Sequence, residues 1–186
     1  GERNEEGVTV TDRSISGGAA GTGSWSIAPN LIIGVPDNAN ARAVAIIGDS
    51  IADGSGDTAS ATTGVLGFIE RGLGIDVPNA KFTRSGTRLA NWATRRYSQI
   101  ELIGRYFTDV IIELGINDVG GGLDLPTMQA NLDAIVTPLK AMGVQCYVTT
   151  LTPYTTTTDS YATLANQTVT ANEGVRVAYN DWLRTL

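Results

Sequence analysis

Histidine is absent from all 186 residues, which removes the side chain that most often serves as a general base near neutral pH. Cysteine is nearly absent: Cys146 stands alone and excludes an internal disulfide framework, without deciding the compartment. With no His, one Cys and scattered carboxylates, no zinc-ligand spacing occurs, and no metal or cofactor is expected. Charge is scarce as well, at 17% of residues with a net of −6. Such a chain does not gather phosphates by bulk electrostatics, so nucleic acid is not an expected partner. No apolar run approaches the roughly 20 residues that span a bilayer, and residues 1–20 lack the core of a signal peptide. Gly120-Gly121-Gly122 lacks the G-x-G-x-x-G spacing of a dinucleotide site, and no phosphate loop is present, which leaves a nucleotide-binding reading with little support.

What remains is a globular composition. Hydrophobic residues make up 42% of the chain, and a chain of this length buries roughly 70% of its unfolded surface in one core. Residues 1–40 differ from the rest. The flexible stretch Gly17–Gly23 lies between extended pieces at Val8–Val10 and Leu31–Ile33, and the segment reads as a linker or small β appendage. From residue 41 to 186 the pattern is that of an α/β domain, with apolar runs separated by helical stretches.

The run Ala43–Ile47 is continuously apolar, as a central strand covered on both faces should be. Lys81–Thr83, Val110–Leu114 and Val144–Val148 read as three further strands, and Thr63–Leu73, Thr87–Tyr106, Pro126–Met142 and Ala171–Leu186 as helices. Pro138 should kink or break the third helix. Thr149–Thr170 forms a long connection at a strand's carboxyl end, where open α/β sheets place ligands. Trp92, Tyr179 and Trp182 sit at helical spacings that suit core packing. Arg84, Arg88, Arg95 and Arg96 form the one basic cluster, most simply a solvated helix face; Arg88 is also a candidate for facing a substrate.

Three short segments follow three predicted strands: Gly48-Asp49-Ser50, Arg84-Ser85-Gly86-Thr87 and Gly115-Ile116-Asn117-Asp118. In a parallel sheet their strand ends point one way, so the segments meet at one edge. Gly86 offers backbone unobstructed by a side chain, and Asn117 a neutral donor. Asp49 and Asp118 suit loop-holding hydrogen bonds to backbone N–H groups. A serine hydroxyl, however, needs an adjacent base to attack.

Together these segments resemble the first three blocks of the SGNH hydrolases, also called the GDSL esterases and lipases, over roughly residues 42–186. The resemblance implies a flavodoxin-like three-layer α/β/α fold with a parallel sheet. It implies Ser50 as nucleophile, with an oxyanion hole made by the backbone N–H groups of Ser50 and Gly86 and the side-chain amide of Asn117. The expected activity is hydrolysis of short-chain esters or carbohydrate O-acetyl groups through an acyl-enzyme. The family's fourth block, Asp-x-x-His, is missing here, together with the strand and final helix that frame it. Their joint absence sets the expectation that these residues are the larger, N-terminal part of such an esterase. A companion segment carrying Asp and His would then be cleaved, disordered or part of another chain. The alternative is a non-catalytic carbohydrate-binding or structural module on the same fold, in which Asp53 or Asp118 is at most a weak substitute base. The composition leaves localisation open, leaning to an extracellular or particle-bound setting.

Overall fold

The computed structural model describes residues 2–3, 26–27, 33–38, 40–56, 60–61, 64–65, 67–74, 76–95 and 97–186. The chain divides into two compact units, Gly1–Asp37 and Asn38–Leu186. In the first, β1 (Glu2–Arg3) pairs antiparallel with β2 (Ser26–Ile27). The expected extended pieces at Val8–Val10 and at residues 31–32, and the Gly17–Gly23 stretch, lie outside the described residues, and Ile33 belongs to no strand.

The second unit runs β3 (Val44–Gly48), α1 (Ser50–Asp53), the short antiparallel pair β4 (Ser60–Ala61) and β5 (Gly64–Val65), α2 (Phe68–Leu73) and β6 (Asn79–Thr83). It continues through α3 (Leu89–Arg95), α4 (Tyr97–Tyr106), β7 (Asp109–Glu113), α5 (Ile116–Gly120), α6 (Leu125–Ala141) and β8 (Gln145–Val148). The hairpin strands β9 (Thr155–Thr157) and β10 (Gln167–Val169) and the final α7 (Glu173–Leu183) complete it. Strands β6, β3, β7 and β8 form one parallel sheet in that order. With helices flanking it, this is the expected three-layer α/β/α architecture.

Every residue of β3 is buried, as its unbroken apolar run requires. Alternate residues serve opposite faces. Ile46 packs with Ala52, Ile69, Leu73 and Ile111 under α2, while Ala45, Ile47, Val110 and Ile112 are fully buried as the other set. Helix α6 packs against α3, α4, α7 and β8. Its apolar stripe of Met128, Leu132, Ile135 and Leu139 is buried, and the Asp124 side chain caps its start by accepting from Thr127 N–H at 2.9 Å.

Three expectations need correction. Helix α6 continues through Pro138 to Ala141, because a proline this near the C-terminus removes one ladder bond and leaves only the final residues to hold. The predicted helix Thr63–Leu73 begins only at Phe68, since Gly67 is extended at its N-cap and Gly64 and Val65 are paired as β5. The predicted helix Thr87–Tyr106 begins only at Leu89, and Thr87 and Arg88 belong to the loop before α3. Arg84 and Arg88 therefore do not share a helix face. The Thr-rich connection is long, as expected, and carries its own hairpin. Asp159 organises that hairpin by accepting hydrogen bonds from the Thr157 and Thr163 hydroxyls, the Thr163 N–H and the Asn166 amide. Trp92 and Tyr179 are buried core residues, as their spacing predicts, and the Tyr179 and Trp182 rings lie 5.5 Å apart.

Candidate active site

Two of the three expected site residues meet in one cavity of about 470 Å³ at the carboxyl edge of the sheet. Its lining includes Ser50, Ile51, Arg88, Asn117, Gly121 and Tyr154. Ser50 opens α1 directly after β3, and Asn117 sits in α5 directly after β7; parallel register brings these strand ends side by side. Gly86 does not line the cavity. It lies in the loop between β6 and α3 with φ +74, a conformation that favours glycine, and a Cβ there would meet nothing within 4 Å. Its neighbour Thr87 ties this loop to the site, because the Thr87 carbonyl accepts from Asn117 Nδ2 at 3.1 Å.

Asp49 holds the loop that carries Ser50 from beneath. One carboxylate oxygen accepts from Ile51 N–H at 2.9 Å, capping α1, and the other accepts from Asn117 Nδ2 at 2.9 Å. The local turn is the one its sequence position predicts; the bond to Asn117 reaches another strand end. Asp118 also holds a loop, though not its own: its Oδ2 accepts from Leu89 N–H at 2.9 Å and fixes the start of α3. Both Nδ2 hydrogens of Asn117 are thus engaged, by Asp49 and by Thr87. Ser50 Oγ makes no hydrogen bond among the described residues.

The electrostatics beneath the cavity are set by burial. Glu113, at the end of β7, is pushed up to about 8, by burial first and then by the neighbouring Asp49 carboxylate; it accepts from Ala52 N–H at 3.3 Å. Burial also raises Asp49, against hydrogen bonds from Ile51 N–H, Glu113 and Asn117. Asp118 is raised by burial, opposed by backbone N–H groups and by the charge of Arg88. Among the described residues, no cluster of three or more His, Cys, Asp or Glu could hold a metal ion, and no helix is long and apolar enough to cross a membrane.

The sequence reading missed two features of this site. Glu113 lies inside an apolar run whose alternation does not reveal that its carboxyl meets Asp49. Tyr154 belongs to the Thr-rich connection, where nothing in the local pattern marks the one ring that turns to the cavity.

A parallel α/β/α sheet with Gly-Asp-Ser and Gly-x-Asn-Asp at adjoining strand ends defines an SGNH-type hydrolase fold. The chain belongs to the GDSL-like lipase/acylhydrolase family, which it matches over residues 46–186. Its solved neighbours include a G-D-S-L family protein from Desulfitobacterium hafniense DCB-2, 15% identical with a TM-score of 0.56 over 77% of this chain and 70% of that one. An acetyl xylan esterase is 16% identical, with a TM-score of 0.55 over 77% and 71% of the two chains. A catalytic mutant of an acetylxylan esterase from Geobacillus stearothermophilus is 19% identical, with a TM-score of 0.54 over 77% and 70%. At these identities the likeness is one of fold. A sequence comparison with curated proteins gives no match.

Proposed function

We propose that this chain carries the nucleophile and oxyanion hole of a serine esterase that cleaves acyl esters, either short-chain esters or O-acetyl groups on carbohydrate. The observation that carries the reading is that Ser50 and Asn117, from separate strand ends, line one cavity. Ser50 Oγ attacks the ester carbonyl, and the oxyanion is held by the Ser50 N–H and Asn117 Nδ2; the Gly86 N–H joins them only when its loop shifts inward, since Gly86 does not line the cavity at rest. Collapse expels the alcohol, and water then cleaves the acyl-enzyme. For Asn117 to donate to the oxyanion, one Nδ2 hydrogen leaves its resting partner. The Thr87 carbonyl, at 3.1 Å, is the longer of the two bonds and has no charge to strengthen it.

The base is proposed to be a histidine from outside residues 1–186, oriented by an aspartate on the same companion segment. Nearby carboxylates are committed elsewhere: Asp49 to Ile51 and Asn117, Asp53 to the Thr83 hydroxyl at 2.6 Å, and Asp118 to Leu89. A seat for such a segment is available on the sheet. An apolar cavity of about 440 Å³ is lined by Val44, Leu73, Val77, Ile111, Tyr147 and neighbouring residues, and Tyr147 is 48% exposed there.

A second reading, a non-catalytic carbohydrate-binding or structural module, is favoured by the complete absence of histidine and by the engagement of both Asn117 hydrogens. Turnover of p-nitrophenyl acetate by the full-length protein separates the two. The esterase reading expects hydrolysis that falls to background in Ser50→Ala. Retained hydrolysis in that variant removes Ser50 from the mechanism, and no hydrolysis in the wild type leaves the binding module.

A further inference from the structure

The three consecutive glycines at the end of α5, Gly120 to Gly122, have no role as a phosphate loop, yet two of them shape the cavity wall. A methyl group at Gly121 would lie 2.8 Å from Cζ and from both terminal nitrogens of Arg88. Equal distance to those three coplanar atoms means that the guanidinium lies face-on over Gly121. A methyl at Gly120 would lie 3.2 Å from Cε1 of Tyr154. The two bare backbone units therefore seat a planar cation and an aromatic ring next to each other, in the cavity that holds Ser50.

Arg88 is the only charged residue in that lining, in a chain whose net charge is −6. Among the described residues, no hydrogen bond or ion pair reaches its guanidinium. The nearest influence of opposite sign is Asp118, whose Oδ2 is occupied by Leu89 N–H and whose Oδ1 is buried without a partner. A guanidinium with free donors matches the two oxygens of a carboxylate, and an aromatic ring beside it offers a flat apolar face.

We infer that Arg88 and Tyr154 select esters carrying a carboxylate near the scissile bond, as an O-acetylated acidic sugar does, with the carboxylate on Arg88 and the ring of the substrate against Tyr154. This rests on the esterase reading above and names the substrate class of the same site. Ile51 and Pro153 on the lining give a small acyl group an apolar surface to rest on.

The test compares, with the full-length protein, kcat/KM for 3- and 4-acetoxybenzoate against kcat/KM for their uncharged methyl esters. The wild type is expected to prefer at least one carboxylate. Arg88→Gln should lower that preference about 10- to 100-fold, the value of a charge-assisted hydrogen-bond pair. Gly121→Ala, which retains the charge but displaces the guanidinium, should lower it in the same direction. Arg105→Gln, which changes net charge equally on α4, should leave the ratio unchanged. Binding of 3-hydroxybenzoate and its methyl ester to Ser50→Ala, followed by NMR titration, gives a readout independent of hydrolysis. Arg88-dependent carboxylate binding without any turnover would sink the esterase reading and leave this selectivity standing. No carboxylate preference, or one that survives Arg88→Gln, overturns the inference while turnover of the neutral esters leaves the esterase reading intact.

Discussion

Glu113 and Asp49 meet as two carboxyl groups sharing a hydrogen bond under the loop that presents Ser50. Two buried acids this close do not both ionise, and the proton rests on Glu113, which also accepts from Ala52 N–H in α1. The pair joins the end of β7 to the start of α1, so its protonation bears on the same backbone that carries Ser50.

The first prediction follows from the sign of that shift. Glu113 holds its proton up to about 8 in the folded chain, against an ordinary 4.5. Between those values the unfolded chain releases a proton that the folded chain keeps, so stability declines as pH rises through this window and levels off above it. Glu113→Gln can still donate to Asp49 and accept from Ala52 while carrying no titratable proton. The Tm of the variant should therefore gain on the wild type between pH 4.5 and 8. Each kcal/mol reads as about 2–4 °C in a domain of this size. Parallel Tm–pH curves would place the proton elsewhere.

A second prediction concerns the glycine before Asp49. A Cβ at Gly48 would lie 2.3 Å from Ala52 Cβ and 3.3 Å from the Glu113 carbonyl. Neither neighbour is a flexible side-chain end, so α1 must shift to make room. Gly48→Ala should cost about 1–3 kcal/mol, as overpacking does, seen as a lower urea midpoint at unchanged slope. A midpoint equal to the wild type would show that α1 moves freely.

These two sites mark where the sequence is legible and where it is not. The run Val44–Ile47 announces a central strand because burial on both faces leaves no other pattern, and Gly48-Asp49-Ser50 after it is visible as a strand-end turn. Convergence of Ser50 with Asn117 follows from parallel topology alone. Three things depend on three-dimensional packing that local pattern does not encode: the Glu113–Asp49 contact, the seat of Arg88 on Gly121 and the turn of Tyr154 toward the cavity. The hairpin within the Thr-rich connection was hidden for a related reason, since threonines suit strand, turn and loop alike.

The last prediction concerns the clamp behind the cavity wall. Asn180, buried in α7, accepts from Leu151 N–H at 2.7 Å and donates to the Leu151 carbonyl at 2.9 Å. One side chain thereby satisfies both backbone groups of the residue that precedes Thr152, Pro153 and Tyr154, which line the cavity. Arg176 Nη1 also donates to the same carbonyl at 2.8 Å, so the carbonyl keeps a partner if Asn180 is lost, whereas the N–H does not. Asn180→Ala should therefore cost about 1–3 kcal/mol, the penalty for one orphaned buried donor. Hydrogen exchange at the Leu151 amide should accelerate well beyond that at the β3 amides, because the loss is local to this wall. Uniform acceleration across the sheet would instead mean that α7 packs mainly through its apolar face and that the clamp contributes little.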